Sequence, residues 1–176
     1  MIRHLEVDSP VGHILLVANE NILTRLEFVG QQHARGIPRG SRSGSTFLTV
    51  VRKQLSEYFL GQRRVFDIPL NAIGTDFQQS VWRLLEEIPW GMTRSYGELA
   101  CSLHSKGASR AVGAANGQNP ISVIIPCHRV IGQNGAITGY AGGLEAKRWL
   151  LRHESIQCEK ADEIPRMRGI SSAFQS

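Results

Sequence analysis

The stretch "RSYGELACSLHSKGASRAVGAANG", residues 94–117, decides how the second half of this chain is organised. Ser95 followed three residues later by Glu98 is a capping box, so a helix begins there. A Lys106-Gly107 turn interrupts it, and Ser109 stands as the N-cap of a second helix, "SRAVGAANG". Two short helices joined by a tight glycine-containing turn form a helix-turn-helix pattern. The second helix is almost all small residues, which taken alone favours tight helix packing over close approach of a backbone to DNA.

Outward toward the N-terminus, "GTDFQQSVWRLLEEIPWG" (74–91) places Thr75 and Gln78 in another capping box. Phe77, Val81, Leu84 and Leu85 form its apolar stripe, and Pro89 with Gly91 ends it. The first 30 residues alternate apolar runs ("IRHLEV", "HILLVA", "ILTRLEFV") with turn signals ("DSPVG", "NEN"), the pattern of a short antiparallel meander. The glycine-rich, basic stretch 30–45 reads as a mobile surface loop. Leu48, Val51, Leu55 and Phe59 recur at helical spacing and stop at Gly61, and "RRVFDIPL" then resumes strand-like alternation. Outward toward the C-terminus, the β-branched run in "NPISVIIPCHRVIG" (119–132) reads as a buried strand that Pro126 ends, so that the chain turns at Cys127. "GLEAKRWLLRHE" (143–154) is a last amphipathic helix, and 156–176 lose periodicity and read as a disordered tail. The expected fold is α/β (α+β): an N-terminal α/β domain over 1–72, then a mainly helical domain over 73–155.

Composition sets limits on function. The 176 residues are 41% hydrophobic with 7 prolines, enough apolar side chain for a packed core. The net charge of +5 suits a polyanionic partner, but Lys and Arg are spread along the chain and no basic block stands out. No signal-peptide pattern and no membrane-length apolar run occur, so a cytoplasmic location is expected. Three cysteines, Cys101, Cys127 and Cys158, are an odd number at unrelated spacings and read as free thiols. Neither a dinucleotide-type nor a P-loop glycine motif is present.

Cys127 admits three readings. A buried core cysteine is the common fate of a free thiol, but it has no use for an adjacent His128 and Arg129, since burying charge is costly. Metal ligation, with Cys127 and His128 or with Cys101 and His104, lacks a second pair at metal-site spacing. Nucleophilic catalysis uses a thiolate with His128 as base and a carboxylate orienting it. Glu154, at the end of an otherwise apolar helix face, is the carboxylate candidate, against the alternative of a solvated terminal residue.

"RAVGAANGQNP", "PCHRVIG" and "GYAGGLEAKRWLLRHE" together resemble the O6-alkylguanine-DNA alkyltransferase family, over nearly half the chain without gaps. The N-terminal unit resembles the family's partner domain more loosely. The resemblance implies a single-turnover DNA repair protein that flips O6-alkylguanine, and O4-alkylthymine, out of duplex DNA and moves the alkyl group onto its own cysteine. It implies that Cys127 is the acceptor, that His128 takes its proton through a water, and that Glu154 polarises His128. Asn119 would hold the loop before the cysteine, and Tyr96 would lie by the flipped base and help neutralise the departing guanine. Arg110 would fill the space the base vacates, with Ser109, Ala111 and Ala114 beside it facing DNA. Val130, Tyr140 and Ala141 would line the substrate pocket. The implied partner is double-stranded DNA bearing the lesion, taken up by a monomer, with no organic cofactor, no metal and no membrane. Some relatives carry a serine where this chain has Ala141, so any hydrogen bond to guanine O6 there comes from the backbone, and the small side chain leaves room for bulkier alkyl groups. Arg129 reads as a structural ion pair rather than a DNA contact.

Two other classes remain in view. A non-catalytic DNA-binding module would share the helix-turn-helix but has no need of the cysteine. A cysteine hydrolase would need an oxyanion-hole signature that the sequence lacks.

Overall fold

The computed structural model describes residues 1–31, 34–105 and 107–155. Three strands, β1 (Ile2–Ser9), β2 (Gly12–Asn19) and β3 (Ile22–Phe28), form the expected antiparallel meander. The 30–45 segment, read as a mobile loop, has firm anchors among its described residues. It contributes a two-residue strand, β4 (Arg42–Ser43), parallel to β1. Arg25 Nη2 donates to the Gly36 carbonyl, and the Arg35 N–H donates to Glu27.

Helix α1 (Thr46–Phe59) starts at Ser45, whose hydroxyl accepts from the Leu48 N–H. It ends as expected at Gly61, where φ is +74° and the Gly61 and Gln62 amides donate back to Tyr58 and Glu57. Its stripe of Leu48, Val51 and Leu55 covers the meander, so that Ile14, Leu16 and Ala18 of the central strand are fully buried. "RRVFDIPL" is not a strand, apart from one bridge between Leu70 and Leu23. The Gln54 side chain takes the place of a neighbouring strand, donating to the Asp67 carbonyl and accepting its N–H.

Helix α2 (Asp76–Glu86) and helix α3 (Tyr96–Ser102) both begin with the capping boxes read from sequence. On α2, Phe77 is exposed and Trp82 supplies buried surface instead, with its indole N–H donating to the Ala115 carbonyl. Helix α4 (Ser109–Gly117) follows, but Ser109 is not its cap. Ala108 holds that position without a side-chain bond, because the turn that closes α3 hands the chain over one residue early. Two short strands, β5 (Arg94–Ser95) and β6 (Val130–Ile131), pair in parallel, and α5 (Leu144–Ser155) closes the described chain. The expected tail over 156–176, with Cys158, lies outside the described residues, as do Lys106 of the helix-turn-helix turn and His33 of the loop. Among the described residues no helix is long and apolar enough to cross a membrane.

The main departure from expectation concerns residues 119–126. The apolar run is not a strand but a series of turns with a single bridge, Ile121 to Leu26. Ile121, Val123 and Ile125 are buried all the same, and Val123 sits at φ +71°, a conformation that costs a β-branched residue on the order of 1–3 kcal/mol. What holds it there is the open edge of the meander. The Leu26 N–H donates to the Pro120 carbonyl at 2.9 Å and the Ser122 N–H to the Leu26 carbonyl at 3.1 Å, so the loop covers an edge that would otherwise be bare. One continuous apolar core runs from β2 and α1 through this loop to α4 and α5.

Candidate active site

Cys127 opens a 3-10 turn, Cys127–Arg129, directly after the looped segment. Asn119 shapes the approach: its Nδ2 donates to the Ile125 carbonyl at 2.8 Å, and its Oδ1 accepts the Ile121 N–H at 3.0 Å. Asn116 of α4 donates to the Cys127 carbonyl. In a regular strand Cys127 and His128 would point to opposite faces, but the tight turn buries both on the inner side.

Glu154 of α5 gathers the site. Its Oε1 lies 2.8 Å from His128 Nε2 and accepts from Arg129 Nη2 at 3.0 Å, while Oε2 accepts from Arg129 Nε at 2.8 Å. The bonds to Glu154 make Arg129 the structural ion pair expected of it, and it also donates to the Ile88 carbonyl. Burial pushes the Glu154 carboxyl up, but His128 and Arg129 outweigh this and hold it well below the usual carboxylate range. An ionised Glu154 only accepts, so His128 carries its proton on Nε2 and presents a bare Nδ1. That Nδ1 is buried and, among the described residues, has no partner. Burial lowers the His128 pKa, partly offset by Glu154, so the resting ring is a neutral base. Burial also pushes the Cys127 thiol up, opposed by Asn119, Lys147 and Ser122, so forming the thiolate calls for that base.

Two contributors were missed from sequence. Lys147 is fully buried, and its ammonium donates to the carbonyls of Val130, Thr138 and Gly139, 5.9 Å from the Tyr96 ring centroid. Burial lowers its pKa to about 8, with Cys127 acting in the other direction. The signal was available, since Lys147, Leu150, Leu151 and Glu154 share one helical face. The other is Tyr58 of α1, whose hydroxyl donates to Glu154 Oε1 at 2.7 Å. No local pattern reports a contact across 96 positions.

The remaining candidates fall into two groups. Val130 is fully buried in β6, and Tyr140 packs edge-on against Phe28 with its hydroxyl buried and, among the described residues, without a partner. Tyr96 is half-buried and donates to the Thr138 carbonyl at 3.2 Å, and burial keeps its phenol protonated. Ala141 lines a cleft of about 300 Å³ with Gly12, His13 and Phe28. The next residue, Gly142, lies so close to Phe28 that a Cβ there would come within 2.6 Å of the ring. Arg110, Ala111 and Ala114 form an exposed face of α4, while Val112, Ala115 and Asn116 face inward. Ser109 is half-buried beside them. Cys101 is exposed, and among the described residues no group of three or more His, Cys, Asp or Glu comes together as a metal site.

Two family models match the chain: the ribonuclease-like domain of 6-O-methylguanine DNA methyltransferase over residues 2–72 and its DNA binding domain over residues 76–156. A methylated-DNA–protein-cysteine methyltransferase of Mycolicibacterium paratuberculosis is 46% identical over 154 residues, covering 88% of this chain and 93% of the relative. A crystal structure of Mycobacterium tuberculosis O6-methylguanine methyltransferase superposes with a TM-score of 0.81 at 45% identity, covering 89% of this chain and 94% of the other. A crystal structure of the M. tuberculosis OGT in complex with DNA gives the same score at 44% identity, with 88% and 93% covered.

Proposed function

The chain belongs to the 6-O-methylguanine DNA methyltransferase family, and from that premise we propose that Cys127 is the alkyl acceptor, with His128 its base and Glu154 the carboxylate that orients His128. The protein is a DNA-binding methylated-DNA–protein-cysteine methyltransferase, which repairs DNA by transferring an alkyl group to cysteine. The lesion we assign is O6-alkylguanine, with O4-alkylthymine as a second substrate, acted on by a cytoplasmic monomer. Units 1–72 and 73–155 divide the work, a boundary supported by the junction between the two matched family models.

The observation that carries the reading is the His128–Glu154 bond standing directly beside the buried thiol. A buried thiol precedes a histidine whose Nε2 is committed to Glu154 and whose Nδ1 is bare. His128, through a water, removes the thiol proton; the sulfur attacks the alkyl carbon, the S–C bond forms as the C–O6 bond breaks, and guanine departs as an anion. Tyr96, protonated and close to the Thr138–Gly139 loop, supplies the hydroxyl that neutralises this anion. O6 of a stacked guanine cannot be reached in line by a buried thiolate, so the nucleotide must leave the helix. The exposed face of α4, with Arg110, Ser109, Ala111 and Ala114, meets the DNA, Arg110 takes the vacated space, and Val130, Tyr140 and Ala141 bound the pocket. The thioether has no route back to thiol, so each molecule reacts once.

The test is mass spectrometry after incubation with a duplex carrying O6-methylguanine. One methyl is expected on the Cys127 peptide, and none for Cys127→Ala. Turnover beyond one equivalent, or methyl on Cys101, would overturn the assignment.

A further inference from the structure

We propose that Tyr58 is a positioning residue for the alkyl transfer, its hydroxyl fixing Glu154 Oε1 in register with His128 and tempering how strongly that carboxylate holds the imidazole proton. The inference rests on the roles given above to Cys127, His128 and Glu154.

Three donors converge on one oxygen: Tyr58 Oη at 2.7 Å, His128 Nε2 at 2.8 Å and Arg129 Nη2 at 3.0 Å. An oxygen already taking two other donors is a weaker acceptor for the third, so the Tyr58 bond limits the pull of Glu154 on the His128 ring. The base needs this limit, since too strong a carboxylate would keep His128 charged at rest and occupy the Nδ1 lone pair that must take the thiol proton. The hydroxyl is placed by packing rather than by its own bond. The Tyr58 ring is fully buried against Phe59, Phe66, Trp90 and His153, with centroids 5.2–5.4 Å apart, and its carbonyl bonds His153 Nε2 at 2.7 Å. Burial, reinforced by the Glu154 charge, keeps this phenol protonated, so it donates throughout the working pH range. It stands on α1, in the N-terminal unit, which thereby takes part in the chemistry.

The titratable and charged groups that face this pair are Arg129 on the 3-10 turn, Lys147 and His153 on α5, Tyr140 on the preceding loop and Cys127 itself. None of these changes in Tyr58→Phe, which keeps the ring and removes only the donor. Without it Glu154 pulls harder, the His128 pKa rises, and a higher pH is needed to free the base.

The experiment measures single-turnover methyl transfer against pH, with a parallel NMR titration of the His128 ring, for wild type, Tyr58→Phe and Phe66→Leu. The last loosens the same ring cluster without touching Glu154. The rate midpoint and the His128 titration in Tyr58→Phe should both move up by at least about half a pH unit, with one methyl still placed on Cys127, while Phe66→Leu keeps the wild-type midpoint. An unshifted Tyr58→Phe profile, or equal shifts in both variants, would overturn the proposal. Methyl missing from Cys127 in the wild type would instead overturn the acceptor assignment beneath it.

Discussion

The carboxylate centre at Glu154 and the outer face of α4 follow opposite rules. At Glu154 the elements α1, the 3-10 turn and α5 meet, every charged group is buried, and both carboxylate oxygens are committed. On α4, Arg110, Ala111 and Ala114 stand in solvent, and two of the three have no functional group at all. The difference follows from where each region finds its partners. Chemistry on a thiol needs dipoles fixed in advance in a site closed to bulk water, whereas a DNA-facing surface receives its partners from the DNA and needs only to let a backbone come near. On the proposed assignment, fixed polar contacts gather where the proton would move, and small side chains stand where the duplex would land.

The sharpest way to break this contrast is Cys127→Ala, which should abolish transfer while leaving lesion-bearing duplex binding within about twofold, since α4 is untouched. Glu154→Gln comes next. It should slow transfer by roughly a hundredfold or more, because His128 loses its anionic orienting group. It should also cost about 3–5 kcal/mol in urea unfolding, since Arg129 is left buried without its counter-charge. The same variant reads out linkage. Glu154 is held below its ordinary value of 4.5, so the stability it contributes is fully present above that pH and is lost as pH falls toward the depressed folded value. The stability gap between wild type and Glu154→Gln should therefore narrow below about pH 4.5. A gap that stays constant down to acid unfolding would refute the assigned charge state.

Smaller effects belong to the open face. Arg110→Ala should slow repair of duplex lesions about tenfold and leave unfolding free energy within about 0.5 kcal/mol of wild type. On single-stranded lesions, where no stacked space is vacated, it should do little, and equal losses on both substrates would place Arg110 elsewhere. The mildest test concerns the pocket: Ala141→Ser should slow transfer of bulky alkyl groups more than of methyl. Equal ratios for the two proteins would remove Ala141 from substrate selection.

The same contrast explains what could be read from sequence. The meander, both capping boxes and the glycine stop of α1 depend on neighbours a few residues apart, and each was legible. The 119–126 segment was misread because its β-branched residues are buried by turns rather than by strand pairing. The contacts responsible, Leu26 to Pro120 and Ser122, lie on the far side of the sequence. "RRVFDIPL" failed for a related reason, since a glutamine side chain supplies its hydrogen bonds. In the site, Cys127, His128 and Asn119 are local to one motif, and Glu154 was found through a helical stripe. That stripe could also have given Lys147, which shares the face with Leu150, Leu151 and Glu154. Tyr58 needed the tertiary structure.

The bonds between Leu26 and the 119–126 loop have a bearing on how the protein comes into being. Loop closures of this span are slow compared with the hairpins and helices they join. The meander and α1 can form early from local contacts, but the turns around Val123 have no template until the β3 edge exists. His128 in turn lacks its carboxylate until α5 docks. A chain in which α5 has not docked holds Cys127 without an oriented base, so the proposed reactivity depends on contacts between segments far apart in sequence.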